Sequence, residues 1–208
     1  MGYTQAQIVR ITALMNEIES RKPHANAAPT YHDVPALRAL ADYVPADPDD
    51  EALELSIQIV RYLARNYEAL WRIAECNEWY RRLLELYGRR TPDGAPLEED
   101  YYLALRARNY HRADRCDDLH TLAEAFLPPE TIAEEETAAL NAIDLRHDPV
   151  ELTPEYRAVI DEVDRLVDEN GSKTLFPFER WKLKRQFLKE HGIDWRPPAG
   201  MEPGIRLS

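Results

Sequence analysis

Two pairs of glutamates, Glu51-x-x-Glu54 and Glu75-x-x-Glu78, are the residues best spaced to do chemistry, with 20 residues between the pairs. Carboxylates three apart share one helix face, and carboxylate oxygens suit hard divalent cations. A second constellation is His111, Asp114, Cys116, Asp117 and His120, in which Cys116 and His120 stand four apart and could share a metal ion. No second Cys or His pair recurs at a matching spacing, so the expectation is a solvated helix face with one buried thiol and no bound metal. The dipeptides His32-Asp33 and His147-Asp148, each an imidazole next to a carboxylate, are a third candidate.

Two of these patterns resemble known ones. The His-Asp dipeptides resemble the motif of helical HD-type metal phosphohydrolases, in which the dipeptide stands on a helix inside the bundle. Here both pairs lie beside prolines in predicted loops, where Asp33 caps a helix and His147-Asp148-Pro149 makes a turn. The glutamate pairs resemble the paired acidic motif of all-α nucleotide pyrophosphohydrolases, and that resemblance implies Mg2+ held by carboxylates of two helices. The second pair ends in Glu78 where the motif has Asp, and the phosphate-binding lysines are missing nearby. In a chain with 38 acidic residues, helix-terminal charge accounts for the same spacing.

There is no glycine-rich phosphate loop, Gly-x-Ser-x-Gly elbow or HExxH helix, and neither Cys76 nor Cys116 sits in a nucleophile motif. No catalytic residue and no cofactor is therefore expected, and the reading leans away from an enzyme.

The elements that would position these residues read as helices throughout. In Asp50 to Tyr87, Leu53, Ile57, Val60, Ala64, Tyr67, Trp71 and Ala74 recur at spacings of four and three, one stripe of a helix. A new phase, Cys76, Tyr80, Leu83 and Tyr87, follows, so a kink or turn is expected near Glu75. Leu55, Ile59 and Leu63 add a second row. Asp49 or Asp50 is the expected cap, and Gly88 the expected stop. Thr4 with Gln7 forms a capping box ahead of Ile8, Ile11, Met15 and Ile18. A short helix capped by Asp33 carries Leu37, Leu40, Ala41 and Val44. Leu97 to Leu127 repeats the plan of the central stretch, and Ala64-Arg65-Asn66-Tyr67 recurs 43 residues later as Ala107-Arg108-Asn109-Tyr110. Solenoids need about three repeats, so two similar hairpins are preferred to a repeat array. Helices are further expected over Glu130 to Leu145 and, capped by Thr153, from Pro154 to before Gly171, with Tyr156, Val159, Ile160, Val163 and Val167 inward. The expected fold is an all-α, compact irregular bundle of helical hairpins, seven to nine helices, with an extended C-terminal tail.

Charge divides the chain in two. The 208 residues carry a formal charge of −12. Gly171 to Ser208 has eight basic and four acidic residues, +4, which leaves −16 for residues 1–170. The expected organisation is an acidic helical domain over 1–170 and a basic, aromatic helix and tail over 171–208, packed on that domain. An acidic chain does not suit duplex nucleic acid on its general surface, since phosphate neutralisation needs clustered Lys and Arg. Two cysteines and no signal-like leader fit the cytoplasm, and no apolar run approaches the ~20 residues that span a bilayer, so no membrane partner is expected.

On the helix from about Pro177 to His191, Phe178, Trp181 and Leu188 share one side, and Lys182, Arg185 and Lys189 form a basic stripe beside them. With Trp195 in the tail, these seven residues are the expected partner-binding set, mixing aromatic area and cations as interaction hot spots do. The same helix could also close its own core. The functional expectation is a non-enzymatic protein-protein interaction protein, an adaptor or assembly subunit. Nucleic-acid contact is expected only through that basic helix or indirectly. The alternatives are an acidic phage or mobile-element inhibitor that imitates nucleic-acid charge, and a Mg2+-dependent all-α nucleotide pyrophosphohydrolase.

Overall fold

The computed structural model describes residues 2–22, 28–89, 124, 127–141, 147–171 and 177–201. Every regular element among them is helical, so the fold class is all-α as expected. The described residues sort into two compact units, those up to Asn141 in the first and those from His147 onward in the second. The charge boundary at Gly171 falls inside the second unit.

In the first unit, α1 (Gln5–Arg21) opens with the predicted capping box: Thr4 Oγ1 accepts from Gln7 N, and Gln7 Oε1 accepts from Thr4 N. Its buried face is Ile11, Leu14 and Ile18, whereas Ile8 is exposed and Met15 half-buried, so the inner stripe lies slightly to one side of the predicted one. A short 3-10 turn (Tyr31–Asp33) leads into α2 (Val34–Ala41), which buries Val34, Ala36, Leu37 and Leu40. Asp33 stands at the cap position, but its carboxylate does not cap α2. It turns back to accept from Thr30 N at 2.8 Å and from Arg21 Nη1 at 3.1 Å.

The long hairpin of α3 (Asp50–Ala69) and α4 (Ile73–Tyr87) supplies most of the buried residues described in the first unit. Asp49 caps α3 by accepting from Ala52 N. The predicted stripes are inside except at Trp71, which is 40% exposed: Leu53, Ile57, Val60, Ala64, Tyr67 and Ala74, then Cys76, Tyr80, Leu83 and Tyr87 on α4. The break falls at Leu70–Arg72, a few residues before Glu75. There Trp71 N bonds to Glu68 O at 2.8 Å and Arg72 N to Tyr67 O at 2.9 Å, the paired bonds of a Schellman cap. The left-handed position in that cap, usually glycine, is held by Trp71 at φ 60°. At the other end of the hairpin, Arg82 donates to the carbonyls of Pro45 and Ala46, and Arg89 to that of Pro48. These arginines satisfy the backbone oxygens of a proline-rich connection that forms no helix. The last helix of this unit, α5 (Pro129–Asn141), buries Ile132.

The second unit begins with a 3-10 turn (Pro149–Leu152), followed by α6 (Pro154–Asn170) and α7 (Pro177–Glu190). Thr153 caps α6 through Tyr156 N, with Pro154 at the first helical position. The pairs Arg180–Asp168 and Lys184–Asp164, each 3.6 Å, run in opposite order along the two helices, so α6 and α7 are antiparallel. The tail Ile193–Pro197 is extended as expected, but Pro198–Met201 then forms a helical turn, α8, because proline suits a first helical position. The expected helices over Leu97 to Leu127, with their copy of the tetrapeptide, lie outside the described residues apart from Glu124 and Leu127.

Candidate functional site

Two antiparallel helices joined by three residues separate the ends of their hairpin. Glu51 and Glu54 stand at the start of α3, and Glu75 and Glu78 at the start of α4, next to the turn. At 1.5 Å per residue, the two pairs are about 15 to 25 Å apart along the hairpin. The four carboxylates therefore do not converge, and Glu75 faces Arg72 at 3.7 Å. Among the described residues no group of three His, Cys, Asp or Glu side chains is arranged to hold a metal ion. The His111 to His120 constellation lies outside the described residues. Asp33 is engaged by Thr30 and Arg21, and His32 is exposed and stacked on Tyr31 with ring centroids 3.9 Å apart.

The other His-Asp dipeptide sits in a connected polar cluster of the second unit. His147 Nδ1 and Glu151 Oε2 are 2.8 Å apart, and both side chains are buried. The Trp195 indole N–H donates to Glu151 Oε1 at 2.7 Å. Asp148 Oδ1 caps the 3-10 turn through Val150 N, while its Oδ2 accepts from Arg196 N and Nε, both at 2.9 Å. Burial alone would push the Glu151 carboxyl up, but the His147 ring, the Lys184 ammonium and the Trp195 N–H together hold it below the usual carboxylate range. His147, Asp148, Glu151 and Trp195 are all buried. The effect of the cluster is to fasten the tail to the turn at the start of the unit. The i, i+4 spacing of His147 and Glu151 is the available signal in the sequence, but only the packed tail joins them to Trp195.

That fastening, and the apolar core beside it, divide the seven residues expected to form one interface. Trp181 is 8% exposed, Leu188 0% and Trp195 2%, and all three lie in one cluster with Tyr156, Ile160, Val163, Val167 and Ile193. They are core residues, and burying two indoles and a leucine removes a large apolar surface from water. Lys184 spans the cluster's edge, its Nζ 5.6 Å from the Tyr156 ring and 5.4 Å from the Trp195 ring.

The remaining four face solvent together. Phe178 is 49% exposed, and Lys182, Arg185 and Lys189 are exposed with no ion pair among the described residues. Their spacings of four, three and four place them on a single stripe of α7. Phe178 also packs edge-on to the buried Trp181, with centroids 5.3 Å apart, which ties the exposed ring to the core. No helix among the described residues is long and apolar enough to cross a membrane. Comparison with models of protein families, with curated proteins and with solved structures finds no match to this chain.

Proposed function

We propose that this protein is a non-enzymatic protein-protein interaction protein, an adaptor or assembly subunit, and that its contact surface is the outer stripe of α7. The observation that carries this reading is the run Phe178, Lys182, Arg185 and Lys189, exposed on a helix whose other side is anchored in a core by Trp181 and Leu188. A rigid helix presenting one aromatic ring and three cations loses little conformational freedom on binding. The scattered positions of the glutamate pairs favour this over nucleotide hydrolysis.

The test is a pull-down from native lysate with the full chain and with the variant F178A/K182E/R185E/K189E, after helical circular dichroism has shown that both are folded. A stoichiometric partner held by the native protein and lost by the variant is the expected result. Equal capture by both proteins, or none by either, would overturn the reading.

A further inference from the structure

Two exposed stripes of opposite charge run along α6 and α7, and they match in spacing. On α6, Glu155, Glu162 and Glu169 recur every seven residues and are all exposed, and Glu169 is ion-paired with Arg165 of the same helix at 2.7 Å. On α7, Lys182 and Lys189 are likewise seven apart, about 10 Å along the axis. The sides by which the two helices face each other are marked by Asp164 and Asp168 on α6 and by Arg180 and Lys184 on α7. At 3.6 residues per turn, the α6 stripe sits about 140° around its helix from those residues and the α7 stripe about 170°. The hairpin thus has an acidic edge on α6 and a basic edge on α7, turned away from one another.

We infer that the occupant of the basic edge is a second copy of this chain, presenting the acidic edge of its α6. This rests on the interaction reading above and names its partner. Neighbouring copies would continue the antiparallel alternation already present inside one unit. One antiparallel register then sets Lys182 level with Glu162 of the second copy and Lys189 with its Glu155. In the same register Phe178 meets the half-buried Leu166 of the second copy, which gives the exposed ring an apolar neighbour. No like charges face each other among these pairs. A polyanion fits less well: three cations on a chain of charge −12 neutralise few phosphates, and Phe178 would be left in water. The contact is heterologous, each copy offering its basic edge to one neighbour and its acidic edge to another. Exposed ion pairs contribute little singly and are screened by salt, so the association is weak and salt-sensitive.

Sedimentation equilibrium of the full chain tests this, alongside K182E/K189E, which reverses the basic edge, and E155K/E162K, which reverses the acidic one. Average mass should rise with concentration in low salt, and the association constant should fall about tenfold or more in high salt. Each variant alone should remain a monomer, and mixing the two should restore association, since each then carries the complement of the other's altered edge. That rescue cannot come from misfolding. A native protein that is monomeric throughout overturns the second-copy assignment. If the pull-down still captures a stripe-dependent partner, the interaction reading survives with another occupant; if it captures nothing, both fall. Association that persists unchanged in both variants overturns the assignment of the two edges. A band shift with duplex DNA that K182E/K189E abolishes, in a protein that does not self-associate, overturns it in favour of nucleic acid.

Discussion

Trp195 reaches back 44 residues to place its indole N–H 2.7 Å from a carboxylate oxygen of Glu151, with both side chains buried. The bond fastens the tail to the turn that opens the second unit, and its neighbour Arg196 repeats the tie to Asp148. Replacing Trp195 with Phe keeps most of the apolar area but leaves a buried carboxylate oxygen without its donor. The expected cost is about 1–3 kcal/mol in urea unfolding. A loss indistinguishable from zero would show that the indole N–H is dispensable.

The same carboxylate makes stability depend on pH. Glu151 is held below its ordinary value near 4.5 in the folded protein, so the unfolded chain binds a proton first as pH falls. The contribution is therefore fully present above the unfolded value and is lost as pH drops through the folded one. Tryptophan-monitored unfolding of the full chain should show a steeper decline below about pH 4.5 than the Glu151→Gln variant shows. Parallel profiles for the two proteins would remove Glu151 from the account.

Trp71 and Gly192 occupy the same position in two helix caps, at φ 60° and 77°. At Gly192, Gly192 N bonds to Lys189 O and Ile193 N to Leu188 O, each at 2.9 Å, and an added Cβ would meet nothing within 4 Å. Gly192→Ala should thus cost only the left-handed backbone term, about 1 kcal/mol or slightly more. At Trp71 the comparison of interest is Trp71→Gly against Trp71→Ala, in which the side chain is removed from both. Glycine should be the more stable by about 1 kcal/mol, the reverse of the order inside a helix. Thermal melts showing alanine ahead would mean that the turn relaxes out of the left-handed region.

Cys76 is fully buried in the first core, and burial pushes its thiol well up, with Glu68 and Glu75 adding to the shift. It should be inert as a nucleophile. In a Cys116→Ser background, labelling by a thiol reagent should be slower in native protein than in denaturant by roughly a hundredfold or more. Rapid native labelling would place Cys76 at a surface.

Much of the helical plan is legible in the order of residues alone. Spacings of three and four put Leu53, Ile57, Val60, Ala64 and Tyr67 inside, because the period of a helix is a local property of consecutive residues. The caps at Thr4, Asp49 and Thr153 are legible for the same reason: each bonds to a backbone N–H three residues on. The turn at Trp71 falls earlier than the change of apolar phase suggests, since the usual signal for a left-handed cap is glycine and here the residue is tryptophan.

The candidate surface is only half legible. Sequence by itself determined that α7 carries aromatic and basic residues at helical spacing, and that the chain around it is acidic. It could not decide which of those residues meet water, because α7 is amphipathic on more than one side and its burial depends on α6 and on a tail that returns after Gly192. Packing made that decision. Trp181, Leu188 and Trp195 close the core with Tyr156 and Ile160, leaving Phe178, Lys182, Arg185 and Lys189 outside. Tertiary structure likewise kept the two glutamate pairs apart, since an antiparallel hairpin that turns at Leu70–Arg72 holds the starts of its two helices at opposite ends in space.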